Sequence, residues 1–237
     1  SLQALPSHSP QRVWQGRDVF FGFGGLFLGF LFISAILVAV VLTTDLDKRQ
    51  TDSVGLLVTI FWEASFAGVV LALALRRGAT LHTLGFRKPE RWGPLPILVV
   101  ASYSILLGYG LVIMLLKELG IDVSWLEGGN QLELIEGESS FPILVTLLIA
   151  GIAVTIAAPL AEGLFFRGLG YRALSEIWSP TLAIFVSGLL FGAFHLNLSV
   201  LIPFTILGML LAWGFRASGS IWVPIAGHFT INSVSFT

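Results

Sequence analysis

The chain has 237 residues, of which 55% are hydrophobic and 11% are charged. This balance lies far from that of a soluble domain and predicts an integral membrane protein, an all-α polytopic helix bundle. A formal net charge of −1, with the basic residues spread over short segments, argues against nucleic-acid binding. The absence of cysteine excludes disulfides and thiolate chemistry.

In chain order, residues 1–18 are a polar lead-in, which we expect to be cytoplasmic, and residues 19–237 are expected to form a single transmembrane domain. Apolar runs long enough to cross a bilayer come first, and glycines on the first of them suggest close helix contacts. Shorter segments that contain Gly, Pro and polar residues follow, and we expect them to be interior helices. About seven transmembrane helices are therefore predicted: 19–43, 54–75, 95–116, 141–161, 179–197, 200–215 and 220–236.

The loops predict the orientation of these helices. The connection between the second and third spans is basic, whereas residues 117–140 are rich in Asp and Glu. By the positive-inside rule the basic connection is cytoplasmic and the acidic segment is outside. The N-terminus is then expected on the cytoplasmic side.

Glu162 and Arg167 lie in an otherwise apolar run that continues from the end of the predicted fourth span. An ionisable group at membrane depth costs several kcal/mol, so Glu162 is expected to face protein or water and to have partners. Pro159, three residues earlier, is expected to free a backbone carbonyl in this helix. Arg167 could instead be an interfacial charge that reaches toward the membrane surface. Glu63, in the middle of the second span, is either a structural partner or a further site residue.

Two further pairs of residues share helix faces at a spacing of four. Phe191 and His195 lie near the end of the predicted fifth span, and His228 and Asn232 lie in the seventh. At about 1.5 Å of rise per residue, these polar groups come to the same depth as Glu162 if the fourth helix continues to about residue 174. The sequence therefore predicts one polar site inside the bundle.

Two kinds of hydrolytic chemistry fit these residues. Glu162 and His195 could activate a water as general base, with His228 and Asn232 donating to an oxyanion. Alternatively, Glu162, His195 and His228 could bind a divalent metal such as zinc, which would generate the nucleophile. The sequence contains no His-Glu-x-x-His zinc motif. Each histidine, taken singly, could also be no more than a hydrogen-bonding contact between helices. For Asn232 taken alone, that interpretation is the favoured one.

These motifs resemble those of the CPBP family, the CAAX protease and bacteriocin-processing (Abi) intramembrane proteases. The family motifs Glu-Glu-x-x-x-Arg, Phe-x-x-x-His and His-x-x-x-Asn correspond to Glu162–Arg167, Phe191–His195 and His228–Asn232, within a core of about residues 142–237. The resemblance implies an intramembrane peptidase in which Glu162 and His195 activate the water, His228 and Asn232 complete the site, and Arg167 and Phe191 support it. It also implies a peptide or prenylated-protein substrate cut in the lipid bilayer, here expected to be a bacterial plasma membrane.

Gly163 departs from the family pattern, because the family has a second glutamate there. A carboxylate at that position could pair with Arg167 one helical turn away, and glycine cannot. The sequence therefore leaves a second hypothesis open, a catalytically weak or inactive protein that serves as an accessory or scaffold subunit of a larger membrane complex. A transporter is a third, since broken polar helices also build transport sites.

Overall fold

The computed structural model describes residues 13–126 and 141–236. Within these ranges the regular structure is helical and no strand occurs, which confirms the predicted all-α bundle. A short 3₁₀ turn, Ser124–Leu126, follows the fourth helix. The helices are α1 (Gly16–Thr43), α2 (Lys48–Arg77), α3 (Leu81–Leu84), α4 (Pro94–Glu118), α5 (Ile143–Ser175), α6 (Pro180–Phe194), α7 (Leu198–Ser218) and α8 (Trp222–Phe236).

Among the described residues, five helices are long and apolar enough to cross a membrane, namely α1, α2, α4, α5 and α7. The protein is therefore an integral membrane protein. Helices α6 and α8 have 15 residues each, fewer than the roughly 20 that a full bilayer crossing needs. The predicted count of seven spans remains a prediction, as does the division at residue 18, since residues 1–12 lie outside the described ranges and α1 already begins at Gly16.

One end of the bundle brings together the start of α1, the end of α2 and the turn between α7 and α8. Arg77 pairs with the buried Asp18 at 2.6 Å, which joins the end of α2 to the start of α1. Arg91, just before α4, donates to the carbonyl of Ala217 at 2.9 Å. The basic connection and the α7–α8 turn thus lie at one end, as the seven-span arrangement requires. Which side of the membrane this end faces remains a prediction.

Helices α6 and α7 cross at backbone contact. A Cβ atom on Gly188 would lie 2.6 Å from the carbonyl oxygen of Thr205, and one on Gly192 would lie 2.7 Å from that of Leu201. On the facing helix, a Cβ on Gly208 would lie 2.9 Å from the Cα of Gly188. Such contacts require small residues, which is the usual way for membrane helices to approach closely.

The glycines of α1 only partly follow the prediction of close helix contacts. A Cβ on Gly22 would lie 2.9 Å from Leu169, and one on Gly25 would lie 3.4 Å from Val69. The prediction is wrong for Gly24 and Gly29, because nothing among the described residues lies within 4 Å of a Cβ at either position. Glycine spacing alone therefore does not indicate a helix contact.

Helix α5 is continuous but changes its hydrogen-bond register twice. Residues Ala153–Ala157 and Gly163–Tyr171 are π-helical, with bonds that span five residues instead of four. The N–H of Ala158 accordingly donates to the carbonyl of Ala153. The next donor in this register would be residue 159, which is a proline without an N–H, so the carbonyl of Val154 is left without its helical partner. The helix then continues to Ser175, close to the predicted extension to about residue 174.

Candidate active site

Glu162 and His228 meet in the interior of the bundle. Helix α5 carries the glutamate and α8 carries the histidine, and the Nδ1 atom of His228 lies 3.9 Å from the Oε2 atom of Glu162. Both residues are buried, with 8% and 5% of their surfaces exposed. The separation is longer than a hydrogen bond, and neither of these two atoms has a hydrogen-bond partner within the described part of the chain. This pair is the polar centre of the site.

His195 comes to the same place from the end of α6. Its Nδ1 atom lies 2.8 Å from the carbonyl oxygen of Phe191. Because a carbonyl only accepts hydrogen bonds, this contact assigns the ring proton of neutral His195 to Nδ1 and leaves Nε2 with a free lone pair. His195 also lines the same cavity as Glu162. The arrangement presents a carboxylate and a basic ring nitrogen to one space.

Phe191 is the aromatic centre around which these groups are arranged. Its ring centroid lies 5.0 Å from that of His195 and 5.8 Å from that of His228. The guanidinium carbon of Arg167 lies 4.6 Å from the same centroid, a cation–π distance. Phe191 is 1% exposed, so its ring is fixed by packing on all sides. The supporting position predicted for Phe191 agrees with this geometry.

Arg167 is buried and not an interfacial charge. It is 1% exposed, and its Nη2 atom lies 3.5 Å from the carbonyl oxygen of Gly208 in α7. Its Nε and Nη1 atoms have no hydrogen-bond partner among the residues that the structure describes. The guanidinium is near enough to Glu162, His195 and His228 for its charge to act on all three. It therefore offsets the negative charge of the site from within the bundle.

Asn232 makes a hydrogen bond to the backbone of α5. Its Nδ2 atom donates to the carbonyl of Val154 at 2.8 Å. This is the carbonyl that Pro159 leaves without a helical donor, since proline has no N–H to give. Asn232 thus satisfies a backbone defect and holds α8 against α5 one turn beyond His228. The geometry places it beside the site and in contact with the helix that carries Glu162.

Glu162 also lines a cavity of about 350 Å³. The edge of the cavity is formed by Phe27 and Phe30 of α1 and by Leu196, the residue after His195. Their exposed fractions are 59%, 37% and 78%, respectively. The cavity is therefore apolar at its mouth and polar within. Its lining consists of Phe27, Phe30, Trp62, Glu63, Phe66, Glu162, Phe166, Phe194, His195 and Leu196.

A larger groove of about 610 Å³ lies on the opposite side of α5, toward α8. Its lining is almost entirely apolar, with residues such as Trp92, Trp222 and Phe229, and it includes no titratable side chain. Neither Glu162 nor a site histidine faces it. Glu162 and His195 line the smaller cavity instead.

The three residues predicted as metal ligands do not form a ligand set. Zinc ligands lie about 2.0 to 2.2 Å from the metal, so three of them must converge on one point. Among the described residues, no group of three His, Cys, Asp or Glu side chains is arranged to hold a metal ion.

The structure adds site residues that the motifs do not contain. Trp62 and Glu63 of α2 line the cavity, and the ring of Trp62 stacks on Phe194 at a centroid distance of 5.6 Å. The hydroxyl of Tyr103 in α4 donates to the carbonyl of Ile231 at 3.2 Å, next to Asn232. The signal for Glu63 was present in the sequence as an isolated carboxylate within an apolar span. Nothing in the sequence indicated the position of Tyr103.

Comparison with known proteins supports the motif assignment. Residues 144–234 match the family model described as type II CAAX prenyl endopeptidase Rce1-like. A Bacillus subtilis (strain 168) protein named "Putative membrane peptidase YdiL" is 32% identical over 82 residues, which are 35% of this chain and 34% of that protein. The chain thus spans about a third of the length of this relative. No solved structure matches the chain significantly. These matches confirm the resemblance read from the three motifs: residues 144–234 are similar to the Rce1-like endopeptidases of the CPBP type.

Proposed function

We propose that this protein is an intramembrane peptidase that hydrolyses a peptide bond with a water activated by Glu162 and His195. The observation that carries the proposal is the buried pair of Glu162 and His228, 3.9 Å apart, beside a cavity that Glu162 shares with His195. Buried polar groups of this kind are costly in a membrane and mark functional sites. The Rce1-like match over residues 144–234 supports the same reaction class.

The reaction is a general-base hydrolysis. Glu162 takes a proton from the water as the water oxygen bonds to the carbonyl carbon of the peptide. The oxyanion that forms needs a hydrogen-bond donor, and His228 is the nearest ionisable donor to Glu162. When the carbon–nitrogen bond breaks, the proton passes from Glu162 to the leaving amine. His195, with its lone pair on Nε2, assists the first proton transfer.

Arg167 and Asn232 act in this proposal as positioning residues. The guanidinium on the Phe191 ring supplies fixed positive charge near the site, and the Asn232 bond to Val154 fixes α8 beside α5. The sequence left two roles open for Asn232, a donor to the oxyanion or a hydrogen-bonding contact between helices. Its Nδ2 bond to Val154 favours the positioning role, while one amide hydrogen remains for the reaction.

The substrate class follows from the mouth of the cavity. Phe27, Phe30 and Leu196 are exposed at its edge and are apolar, so an extended apolar segment can enter from the lipid without losing favourable contacts. We therefore propose a membrane-embedded peptide or a lipid-modified protein tail as substrate. The plasma membrane of a bacterium, with the N-terminus in the cytoplasm, remains the proposed location.

The test is cleavage of quenched fluorescent peptides, plain and prenylated, by the purified protein in lipid nanodiscs. We expect the native chain to cleave at least one peptide and Glu162→Gln to lower kcat/KM by about 10³, the size of a lost general base. The matched control is Glu118→Gln, the same chemical change at an exposed carboxylate at the end of α4. It should leave kcat/KM unchanged.

Two results would contradict the proposal. The first is equal cleavage by the native chain and by Glu162→Gln, which would point to a contaminating protease. The second is a well-folded native chain that cleaves no peptide of the panel. The same assay tests the metal alternative, because activity that is lost in a chelator and restored by zinc would assign a metal to the site.

A second candidate function is an accessory subunit of a larger membrane complex, and Gly163 favours it. A Cβ at this position would lie 2.8 Å from the Cγ1 atom of Ile225, so the packing of α8 fills the space where the family carries its second glutamate. The informative variant is therefore the double change Gly163→Glu with Ile225→Ala. Cleavage by this variant, with none by the native chain, would identify a silenced protease and favour the accessory role.

A further inference from the structure

Glu63 is a buried carboxylate that none of the three motifs includes. It lies in the middle of α2 and is 8% exposed. Its Oε2 atom has no hydrogen-bond partner in residues 13–126 and 141–236. An intramembrane carboxylate without a partner costs several kcal/mol, so its presence calls for a function in the cavity that it faces.

The position of Glu63 is shared with the hydrolytic residues. Glu63, Glu162 and His195 line the same cavity, and the two carboxylates are near enough for their charges to interact. The neighbouring Trp62 stacks on Phe194 of α6 with an angle of 2° between the rings. This stacking fixes the turn of α2 that carries Glu63 relative to the end of α6, next to His195.

The chain cannot supply a second carboxylate from α5. Position 163 is glycine, and the side chain of Ile225 occupies the place of its missing Cβ. The cavity nevertheless contains two carboxylates, because α2 contributes the second from the opposite wall. The second carboxylate thus lies on a different helix from the one in the family motif, but the site still contains two carboxylates.

We propose that Glu63 supplies the second carboxylate of the hydrolytic site and positions the attacking water. In this arrangement Glu162 accepts one proton of the water, and Glu63 accepts a hydrogen bond from the other hydrogen. The oxygen lone pair is thereby directed at the peptide carbonyl, and Glu63 takes no proton itself. This inference rests on the function proposed above.

The first experiment separates kcat from KM for Glu63→Gln in the peptide cleavage assay. A water-positioning carboxylate acts mainly in the transition state, so we expect kcat to fall by about 10- to 100-fold with KM changed less than about twofold. Glu118→Gln is again the matched control. The unfolding temperature in detergent is measured for each variant, which separates a catalytic effect from a loss of structure.

The second experiment asks whether the two positions are interchangeable. The variant Gly163→Glu with Ile225→Ala places a carboxylate at the motif position, with Ile225→Ala alone as its control. In this background we expect Glu63→Gln to lower kcat less than about threefold, because the carboxylate at position 163 now positions the attacking water. Glu162→Gln should not be rescued by the same background.

Each outcome bears on the proposal. Full activity of Glu63→Gln in an active native chain overturns it and leaves the peptidase function standing. A change confined to KM also overturns it, because Glu63 would then contribute only to substrate binding or packing. A native chain that cleaves nothing overturns the peptidase function, and this inference with it.

Discussion

The two halves of the bundle are built differently. In the half that precedes the family match, only 6% of the most apolar 18-residue window of α1 is buried, whereas 44% of the corresponding window of α7 is buried. The spanning helices of the first half, α1, α2 and α4, are long, uninterrupted and exposed along most of their length. The second half contains π-helical segments, two short helices and glycine contacts at backbone distance. The irregular, buried helices of the second half therefore position the residues of the candidate site, whereas the regular helices of the first half surround it.

This difference agrees with what each half must do. An active site needs polar groups at fixed positions, and in a membrane only protein contacts can satisfy the backbone and side chains of broken helices. The second half supplies those contacts from its own elements, as in the Asn232 bond to Val154. The first half mainly contributes one wall of the cavity, through Trp62 and Glu63.

Gly192→Ala should strongly disrupt the contact between α6 and α7. Its Cβ would lie 2.5 Å from the Thr205 Oγ1 atom and 2.7 Å from the Leu201 carbonyl oxygen, so α6 and α7 must separate. We expect a loss of about 3 kcal/mol in the free energy of unfolding, together with loss of activity, because α6 carries His195. Unfolding in detergent by denaturant titration measures the change.

The control for this substitution is Gly29→Ala in α1, where a Cβ meets nothing described within 4 Å. Alanine favours a helix over glycine, so the free energy of unfolding should stay the same or rise by up to about 1 kcal/mol. Equal destabilisation by the two substitutions would contradict the division between a tightly packed half and an open one.

Asn232→Leu should give the second largest effect. It removes the donor to the partly buried carbonyl of Val154 and leaves that carbonyl unsatisfied, which costs about 2 kcal/mol. Pro159→Ala restores a backbone N–H to α5. The two changes together should therefore cost at least about 1 kcal/mol less than the sum of the separate changes.

The activity of the double variant decides the role of Asn232. If Pro159→Ala restores both stability and cleavage to Asn232→Leu, then Asn232 acts by fixing the helices. Restored stability without cleavage would instead place its amide at the reacting atoms. Strict additivity of the two stability changes would contradict the account of Pro159 and the freed carbonyl.

The substitution Arg77→Met tests whether the first half of the bundle affects only stability and not catalysis. It removes the charged partner of Asp18, a carboxylate that is 1% exposed, and we expect a loss of about 1 to 2 kcal/mol because Arg77 itself is partly exposed. The double variant with Asp18→Asn should recover most of this loss. At temperatures where Arg77→Met is folded, its kcat should equal that of the native chain. A fall in kcat would contradict the view that this half only encloses the site.

The sequence predicted much of this arrangement, for reasons that are physical. Apolar runs locate membrane helices, and the rise per residue along each helix predicts that Glu162, His195 and His228 lie at one depth in the bundle. The extension of α5 that the common depth requires is also present. Glu63 was noted as an intramembrane carboxylate, but its place in the cavity depends on how α2 packs, which no local pattern encodes.

Other features could not be predicted because they depend on hydrogen-bond register or on neighbours far away in the chain. The partner of Asn232 follows from the π-helical register before Pro159, and no sequence signal gives that register. Spacing also failed to separate Gly22, which lies against Leu169, from Gly29, which meets nothing described. Glycine spacing is the same kind of signal in both cases, and only packing distinguishes them.

Asp122, just after α4, gives the smallest expected effect. The backbone N–H of Ser124 donates to its Oδ1 atom at 3.0 Å, and this bond, with a further one from the Ser124 hydroxyl, lowers the pKa of the carboxyl below its ordinary value of 3.8. A lowered pKa means that the contribution to stability is present above the ordinary pKa and is lost as the pH falls through the folded value. Asp122→Asn should therefore show a smaller fall in unfolding temperature than the native chain between about pH 5 and pH 3, with the other titrating groups common to both. Identical pH profiles would show that this turn, unlike the buried contacts of the second half, does not contribute measurably to the folded state.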